Sequence, residues 1–338
     1  LGAYYPLTGF MQEEDFNSVV DEMVLQSGAV FSIPIFLDVS KHISEGLGKN
    51  SVVRLVHQNQ KVGELVVRSI FSCDKISVAN KIYGTADKKH PGVYSFLKTE
   101  EIFVGGEVII NKRITLDISK YEMTPKETKA FFNKKKWDTV VAFHTRNPPH
   151  RAHEWMQRNI LLSYDGLLIH PIIGKGKLGD FTPKAVMEGY KALIKKFYPH
   201  NKVLLSGLTT FGRYAGPREA VFHALVRRNY GCTHIVIGRD HAGVDNFYGK
   251  YESQEICAKF EDAIGIKIIK FSEPYHCSLC DSIVNERICP HSETDHDKVK
   301  KISGTNIRNL LSLGKIPPKH VMRLEVIETM FSDDMFVK

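Results

Sequence analysis

From residue 137 onward, the chain alternates short apolar runs with amphipathic segments of helical period. The apolar runs are continuous and lack the apolar–polar alternation of a strand with one solvated face. The predicted strands lie at residues 140–143, 167–173, 203–208, 235–237 and 266–271. Continuous apolar strands separated by amphipathic helices are typical of a parallel sheet covered on both faces. The predicted fold class is therefore α/β, with a doubly wound parallel sheet.

Two helix starts in this part are marked by the residues around them. Thr182 and Pro183 combine a good N-cap residue with proline at the first helical position. Gly216 and Pro217 open the next predicted helix in a similar way.

Residues 1–136 have a different pattern, made mainly of short apolar or alternating runs. The runs at 102–104 and 108–110 flank Gly105 and Gly106, which predicts a β-hairpin with the two glycines in its turn. No cluster of His, Cys or carboxylate residues with a catalytic pattern occurs in this part of the sequence. We predict a β-rich N-terminal domain with a folding or interface function, ending where the period changes.

Composition and charge argue against several classes of function. The net charge of +8 is moderate, and no block of Lys and Arg marks a nucleic-acid-binding arm. No run of about 18 apolar residues exists, so no transmembrane helix is predicted. Six cysteines in 338 residues do not suggest a disulfide framework. We expect a cytoplasmic protein that takes an anionic small molecule, with neither nucleic acid nor a membrane as its partner.

The segment after the first strand of the α/β part concentrates histidine, arginine and other polar side chains. It consists of His144-Thr145-Arg146-Asn147-Pro148-Pro149-His150-Arg151-Ala152-His153. His150 and His153 are three residues apart, so both project from one face at a predicted helix N-terminus. A helix N-terminus offers free N–H donors and a partial positive charge, which favour phosphate or sulfate. Because Arg146 and Arg151 add fixed cations, the segment predicts an active site for anions.

Loops after the other strands are expected at the same edge of the sheet, where ligands bind in such folds. One of these loops consists of Gly238-Arg239-Asp240-His241-Ala242-Gly243. Three consecutive charged or titratable residues in a short turn with two glycines are unusual for a mere connection. The loop therefore favours a functional role.

Two other loops leave a functional and a structural interpretation open. The glycine-rich loop at 174–180, with Lys175 and Lys177, fits either a phosphate cradle or a flexible surface turn. Arg213 and Arg218 flank a helix start, where they can close on an anion or face solvent.

Residues 302–308 also have two interpretations. The stretch predicts a turn and a helix start with hydroxyl groups and one cation, Arg308. Ser303 or Thr305 can serve as an ordinary N-cap, or the helix start can be a further phosphate contact.

Three cysteines in the C-terminal part have the spacing of a metal site. Cys277 and Cys280 form a CxxC pair that fits two thiolates onto one tetrahedral Zn²⁺, and Cys289 supplies a third. We predict His296 as the fourth ligand, because His291 lies only two residues after Cys289 and would be strained. His291 is the alternative. A closed four-ligand set of this kind is structural.

These motifs together resemble the ATP sulfurylase (sulfate adenylyltransferase) family over nearly the whole chain. The resemblance is carried by residues 5–11, 145–153, 238–243 and 302–308. It implies a PUA-like N-terminal domain at 1–136, a nucleotidyltransferase-type catalytic domain at 137–272 and a small C-terminal domain at 273–338. It also implies that MgATP and sulfate give adenosine 5′-phosphosulfate and pyrophosphate, and that the protein is a homo-oligomer, most simply a dimer.

The resemblance also implies roles for individual residues. Asn147, His150, His153 and Arg239 would act on the phosphates, with Arg308 at their far rim. Sulfate would be bound by Arg146 and the backbone N–H of Ala242, with Thr145 and His144 beside it. The remaining contacts to ATP would come from Gly238, Asp240 and His241.

The chain departs from the family pattern at two positions. His144 stands where the family usually has Gln, which puts oxyanion affinity and selectivity in question. Leu324 stands where proline is expected.

Other functions are also compatible with parts of the sequence. A related nucleotidyltransferase with a phosphate-ester acceptor would share the HxxH pair, and such a pair can also bind metal. A PUA-like domain in a basic protein can bind RNA, but the basic stripe interleaved with aromatics that this needs is not found.

Overall fold

The computed structural model describes residues 1–110, 113–174, 176–331 and 334–338. Its strands are β1 (Gly9–Phe10), β2 (Leu37–Val39), β3 (Val52–His57), β4 (Gln60–Phe71), β5 (Ile102–Ile110), β6 (Val140–Thr145), β7 (Gly166–Pro171), β8 (Val203–Leu205), β9 (His234–Ile237), β10 (Lys267–Lys270), β11 (Tyr275–Cys277), β12 (Ser282–Val284) and β13 (Val299–Lys301). Its α-helices are α1 (Glu13–Glu22), α2 (Lys41–Glu45), α3 (Lys75–Tyr83), α4 (Pro91–Leu97), α5 (Pro125–Lys135), α6 (Arg151–Ile160), α7 (Pro183–Phe197), α8 (Gly216–Asn229), α9 (Glu252–Lys259), α10 (Glu261–Ile264), α11 (Gly304–Ser312) and α12 (Leu324–Met330). Short 3₁₀ turns lie at Asp117–Tyr121 and His296–Lys298.

The chain forms two compact units, whose bounds differ from the predicted domain boundaries at 136 and 272. Unit 1 consists of Leu1–Leu116, Arg213–Asn229 and Asp240–Ile266. Unit 2 consists of Asp117–Gly212, Tyr230–Arg239 and Lys267–Lys338. Two segments that continue the α/β sequence pattern thus belong to the same compact unit as the N-terminal residues.

A parallel five-stranded sheet forms the centre of unit 2, and it confirms the predicted fold class. The strand order is β10-β9-β6-β7-β8, with every pair parallel. The chain adds strands outward from β6 on one side and then continues with β9 and β10 on the other, which is a doubly wound order. All five predicted strands exist, and their ends differ from the predicted ends by a few residues. The predicted cap also holds, since Thr182 accepts from the Ala185 N–H at the start of α7.

The C-terminal segment completes the hydrophobic core of unit 2. Val141 and Ile169 of the sheet pack in one cluster with Tyr190 of α7. The same cluster contains buried residues from α11 and α12 and from the segment between them, namely Ile307, Leu311, Met322, Val326, Ile327 and Met330. Residues after 300 therefore contribute to the core that supports the parallel sheet.

Unit 1 contains an antiparallel sheet in the order β1-β5-β4-β3, with β2 paired to β5. The β-rich prediction for the N-terminal part is confirmed. Phe16 of α1 packs against rings from the sheet and the segment before it, and the stacked pair Phe36–Phe103 has its centroids 4.4 Å apart.

The predicted hairpin at Gly105-Gly106 is wrong. Residues 102–110 form the single strand β5, which pairs with β4 along its length. The glycines are needed for close backbone approach: a Cβ on Gly105 would lie 2.1 Å from the Met11 carbonyl oxygen. One on Gly106, whose φ is 154°, would lie 2.0 Å from the Val66 carbonyl oxygen. Two glycines between apolar runs can mark a crowded strand as well as a turn.

A small antiparallel sheet in the order β12-β11-β13 lies within unit 2 and contains Cys277. Within the described ranges, none of the helices combines the length and the apolar composition that a membrane crossing requires.

Candidate active site and candidate metal centre

The predicted anion site lies where the central strand β6 ends and α6 begins. His150 is the N-cap of α6, and its Nδ1 accepts a hydrogen bond from the His153 backbone N–H at 3.3 Å. A backbone N–H can only donate, so Nδ1 of His150 carries no proton. The neutral ring must therefore carry its proton on Nε2, where it can donate to a ligand. The sequence placed His150 at this helix end but did not indicate that its ring caps the helix.

The two imidazoles form a stacked and uncharged pair. Their ring centroids are 3.6 Å apart, with an interplanar angle of 23°. Burial lowers the pKa of His150 to about 4. Burial, followed by the charge of His150, lowers the pKa of His153 well below its ordinary value, although a hydrogen bond to the Pro148 carbonyl opposes the shift. At neutral pH the pair offers N–H donors rather than positive charges.

The turn before α6 is held by its own backbone. Thr145 is buried, and its hydroxyl donates to the Asn147 carbonyl and accepts from the Asn147 N–H, both at 3.1 Å. Thr145 thus fixes the turn that presents Asn147. Arg146, in the same turn, is exposed.

The segment at 302–308 lies beside this turn and forms the ordinary helix cap that one of its two interpretations predicted. Ser303 caps α11 by accepting from the Asn306 N–H at 3.1 Å. Arg308 donates to Asn147 Oδ1 at 3.5 Å and lies 3.5 Å from an Asp180 carboxylate oxygen. A Cβ on Gly304 would lie 3.0 Å from Asn147 Nδ2. The start of α11 is therefore an ordinary cap that also brings a guanidinium to Asn147.

The glycine-rich loop at 174–180 contributes Asp180 to this region. The Lys177 N–H donates to the Asp180 carboxylate at 3.1 Å. Lys175, the other lysine of the predicted phosphate cradle, lies outside the described residues.

The predicted functional loop at 238–243 divides between the two units. Gly238 and Arg239 belong to unit 2, where Arg239 pairs with Glu273 at 3.4 Å. The rest of the loop belongs to unit 1 and has two non-glycine residues in the left-handed region, Asp240 at φ 47° and Ala242 at φ 59°. Such conformations are uncommon and cluster at functional sites.

Buried polar side chains of unit 1 hold His241 in this loop. Its Nε2 lies 3.1 Å from Nδ1 of His223, whose Nε2 lies 3.5 Å from the Glu219 carboxylate. The Ser253 hydroxyl donates to the His241 carbonyl at 2.9 Å.

Arg218, predicted either to close on an anion or to face solvent, does neither. Its guanidinium donates to the carbonyls of Val19 and Val20 at 2.9 and 2.8 Å, near the end of α1. It adds hydrogen bonds to carbonyl groups in the last turn of the helix, where that of Val19 also accepts from the Met23 N–H. Arg213 packs its guanidinium on the Phe222 ring at 5.1 Å.

Sequence reasoning missed Glu154, which follows His153 on α6. Arg323 donates to its two carboxylate oxygens at 2.8 and 2.7 Å, and Arg151 donates to it at 2.7 Å. Burial alone would raise the pKa of Glu154, but the hydrogen bonds and charges of the two arginines outweigh it and lower the pKa. The Arg323 guanidinium also lies 3.7 Å above the Phe197 ring. An ionised carboxylate therefore ties the histidine-bearing helix to the start of α12.

Tyr190 of α7 belongs to the hydrophobic core, and its hydroxyl has a further partner. The side chain is fully buried, and its oxygen lies 3.3 Å from Nδ1 of His153. The sequence carried no signal for this contact, because Tyr190 fits the apolar stripe of its helix.

The cysteine cluster of unit 2 has the geometry of a four-ligand metal site, with His291 as the histidine. Ligand atoms of Cys277, Cys280, Cys289 and His291 all lie within 4.8 Å of one another. Nδ1 of His291 is 3.5, 3.4 and 4.0 Å from the three sulfurs in chain order.

The preference for His296 is corrected by this geometry. His296 begins a 3₁₀ turn and is not a member of the group. The turn at residues 290–294 folds the chain directly after Cys289, so that Nδ1 of His291 reaches the sulfurs despite the short spacing. This turn removes the strain that the short spacing predicted for His291.

Comparison with known proteins agrees with the arrangement of both parts of the chain. The ATP-sulfurylase family profile matches residues 119–332, and the PUA-like domain profile matches residues 1–113. The sulfate adenylyltransferase of Hyperthermus butylicus is 41% identical over 97% of this chain and 83% of its own length. Those of Pyrococcus abyssi and Chloroflexus aurantiacus are 40% and 43% identical, over 100% and 97% of this chain and 87% and 85% of their lengths.

The chain belongs to the sulfate adenylyltransferase family.

A solved structure supports the fold. The hexameric APS kinase from Thiobacillus denitrificans superposes with a TM-score of 0.75 at 20% identity, over 97% of this chain. The chain spans 58% of the length of that protein.

The residue that departs from the proline expected from the sequence lies at a helix start. Leu324 is the first residue of α12, and the preceding Arg323 has φ −76° and ψ 139°. Proline is well tolerated at a first helical position, after a residue in this extended conformation. The helix start is thus built in a form that proline would favour, although leucine occupies it here.

Proposed function

We propose that this chain is a sulfate adenylyltransferase, which forms adenosine 5′-phosphosulfate and pyrophosphate from MgATP and sulfate. The observation that carries the proposal is the buried, neutral pair of His150 and His153 at the N-terminus of α6. Asn147 and Arg308 lie together at the turn just before it.

The proposed reaction needs anion binding more than proton transfer. Sulfate is fully deprotonated at neutral pH, so its attack on the α-phosphorus requires no general base. The site must hold two anions in line and stabilise the charge that develops on the phosphoryl oxygens. Mg²⁺ enters with ATP and offsets the charge of the phosphates.

The histidine pair suits this task because its rings are already desolvated and oriented. N–H donors fixed in a buried site need no reorganisation when charge develops, which is the basis of oxyanion-hole catalysis. We propose that His150, His153 and Asn147 donate to the phosphates of ATP, and that Arg308 and Arg239 add positive charge.

For sulfate we propose Arg146 as the main binding group. A planar guanidinium matches two oxygens of a tetrahedral oxyanion. His144 and the Ala242 N–H are proposed as further sulfate contacts, while Thr145 holds the turn. Gly238, Asp240 and His241 are proposed for the nucleotide.

The proposal is tested by measuring ATP formation from adenosine 5′-phosphosulfate and pyrophosphate, together with the forward reaction. We expect His150→Asn and His153→Ala to lower turnover by about 100-fold or more, as removal of oxyanion-hole donors does. His200→Ala is the control, because this histidine is exposed and lies away from α6 in sequence. Turnover with a phosphate-ester acceptor but not with sulfate would overturn the proposal in favour of a related nucleotidyltransferase.

We further propose that Cys277, Cys280, Cys289 and His291 bind one structural Zn²⁺. Tetrahedral zinc with ligands at about 2.0–2.3 Å requires ligand atoms about 3.3–3.8 Å apart. The Cys280–Cys289 sulfur separation of 3.9 Å and the sulfur–nitrogen distances from 3.4 to 4.0 Å are close to this. All four positions come from the protein, which is typical of a structural site.

Elemental analysis of the purified protein tests the zinc proposal. We expect about one zinc per chain, a clear loss in Cys277→Ser and no loss in Cys73→Ser. His291→Ala should release zinc in competition with a chelator, whereas His296→Ala should not. Wild-type protein without zinc after mild dialysis would contradict the proposal.

A homo-oligomer, most simply a dimer, and a cytoplasmic location complete the proposal. None of the six cysteines forms a disulfide, as expected in a reducing compartment. The mass of the protein in solution, measured by light scattering, tests the oligomeric state.

A further inference from the structure

The two histidines share one feature: in both rings Nδ1 has a hydrogen-bond partner within the protein. In His150 this nitrogen accepts from the backbone N–H of His153. In His153 it lies 3.3 Å from the hydroxyl oxygen of Tyr190. In His150 Nε2 is then the nitrogen left for a ligand, whereas an N–H of the His153 ring also has the Pro148 carbonyl as an acceptor.

Tyr190 reaches His153 because α7 lies unusually close to the loop before α6. The preceding residue is Gly189, and a Cβ built on it would lie 3.2 Å from Cδ of Pro149 and 3.2 Å from the Met330 sulfur. A larger residue would require these neighbours to shift by a few tenths of an ångström. The helix thus approaches closely at the one turn that carries the tyrosine hydroxyl.

The Tyr190 hydroxyl keeps its proton at neutral pH. Its side chain is fully buried, and burial raises the pKa of the phenol despite hydrogen bonds with Thr145 and Gln157 that lower it. A neutral phenol always carries one proton that it can donate. Nδ1 of a neutral histidine accepts such a proton only when the ring carries its own proton on Nε2.

The tautomer of His153 matters for the reaction proposed above. With its proton on Nδ1, the ring would present the lone pair of Nε2 to a polyanionic phosphate. With the proton on Nε2, the ring is a donor, as His150 is. Only the second tautomer stabilises negative charge on a phosphate oxygen.

We propose that Tyr190 is a positioning residue, which donates to Nδ1 of His153 and thereby holds the His153 ring as an Nε2–H donor. The proposal rests on the proposed function for its effect on turnover. Its claim about the tautomer does not.

Tyr190→Phe removes the hydroxyl and keeps the ring. We expect the turnover number to fall by about tenfold or more, with less than about threefold change in KM for ATP, because the donor acts mainly on developing charge. Tyr198→Phe is the matched control. Tyr198, the C-cap residue of α7, is also buried. Its hydroxyl donates to Gln157 at 2.6 Å instead of to His153. Its removal should change turnover by less than about twofold. Equal turnover in the two variants would overturn the proposal.

Nitrogen NMR of labelled wild-type protein provides a readout that does not depend on activity. The His153 signals are assigned by their loss in His153→Gln. We expect the proton on Nε2 in wild type and in Tyr198→Phe, and a shift toward a mixture of tautomers in Tyr190→Phe. A wild-type His153 with its proton on Nδ1 would refute the proposal even if Tyr190→Phe failed to fold. If the wild type shows the Nε2–H tautomer but does not convert ATP and sulfate, the proposed function fails while the positioning role stands.

Discussion

The stacked imidazoles of His150 and His153 are neutral because they are buried, and this has a consequence for stability. In the unfolded chain each ring has the ordinary pKa of about 6.5 and is protonated below it. In the folded protein the pKa of His150 is about 4. Between these two values the unfolded state binds more protons, so the free energy of unfolding falls as the pH falls. Well above pH 6.5 His150 is neutral in both states, and it then adds no pH dependence to the free energy of unfolding.

Urea unfolding at several pH values checks this effect. From His150 alone we expect the free energy of unfolding to fall by about 1 kcal/mol between pH 7 and pH 5.5. His150→Asn is the informative variant, because asparagine is a good N-cap and does not titrate. The wild type should lose more stability than this variant over the same range. Identical pH profiles would show that His150 titrates normally in the folded protein.

At the scale of elements, α6 is attached to the C-terminal segment through Glu154. The carboxylate is 5% exposed and receives hydrogen bonds from Arg151 and Arg323. Next to it, the Arg151 N–H donates to the Val321 carbonyl at 2.9 Å. The helix that carries both histidines is therefore fixed at its N-terminus by residues far away in sequence.

Arg323→Met tests the contribution of this attachment. Removing one partner of a buried ion pair strongly destabilises a protein, because the other charge loses its compensation. Arg151 still pairs with Glu154 in this variant, so we expect a smaller loss of about 2–3 kcal/mol in the free energy of unfolding. Arg158 is the control. It lies 3.8 Å from the same carboxylate with its side chain 56% exposed, so Arg158→Met should change stability by less than about 0.5 kcal/mol. Equal effects of the two substitutions would show that the Arg323–Glu154 pair contributes no more to stability than an exposed ion pair does.

The start of α12 gives a prediction of opposite sign. Leu324→Pro places proline at a first helical position whose N–H has no intrahelical acceptor. Because the folded backbone already suits proline, the substitution restricts mainly the unfolded chain. We expect the free energy of unfolding to rise by about 0.5–1 kcal/mol in chemical denaturation. A loss of stability would mean that the backbone at Leu324 does not accept proline.

At the scale of the whole molecule, the C-terminal segment behaves as part of unit 2 rather than as an appended piece. Ile327 is 1% exposed in the cluster that includes strands of the parallel sheet. Ile327→Ala should therefore lower the free energy of unfolding by about 2–5 kcal/mol, as a cavity in a main core does. Leu313, with 69% exposure, provides the control, and Leu313→Ala should stay within about 0.5 kcal/mol of wild type. A small effect of Ile327→Ala on the main unfolding transition would indicate that the segment folds separately.

Much of this structure was predictable because it depends on neighbours in sequence. The five parallel strands followed from continuous apolar runs, and the start of α7 followed from Thr182 and Pro183. The positions of His150 and His153 at a helix N-terminus followed from a strand, a proline turn and an amphipathic helix in succession. In each case the controlling interactions lie within a few residues.

The errors came from contacts that local pattern does not encode. Gly105 and Gly106 predicted a turn, but the backbone of other segments approaches them inside a strand. His296 was preferred over His291 because spacing was used without the turn that follows Cys289.

The sequence by itself determined the fold class, the family and the segment that bears the histidines, since periodicity and motifs are properties of consecutive residues. Only the tertiary structure decided which side chains support that segment. Tyr190 lies 37 residues from His153, and Arg323 lies 169 residues from Glu154. Such pairs exist because the packing of α7 and α12 brings them together, and burial then makes each hydrogen bond or ion pair matter.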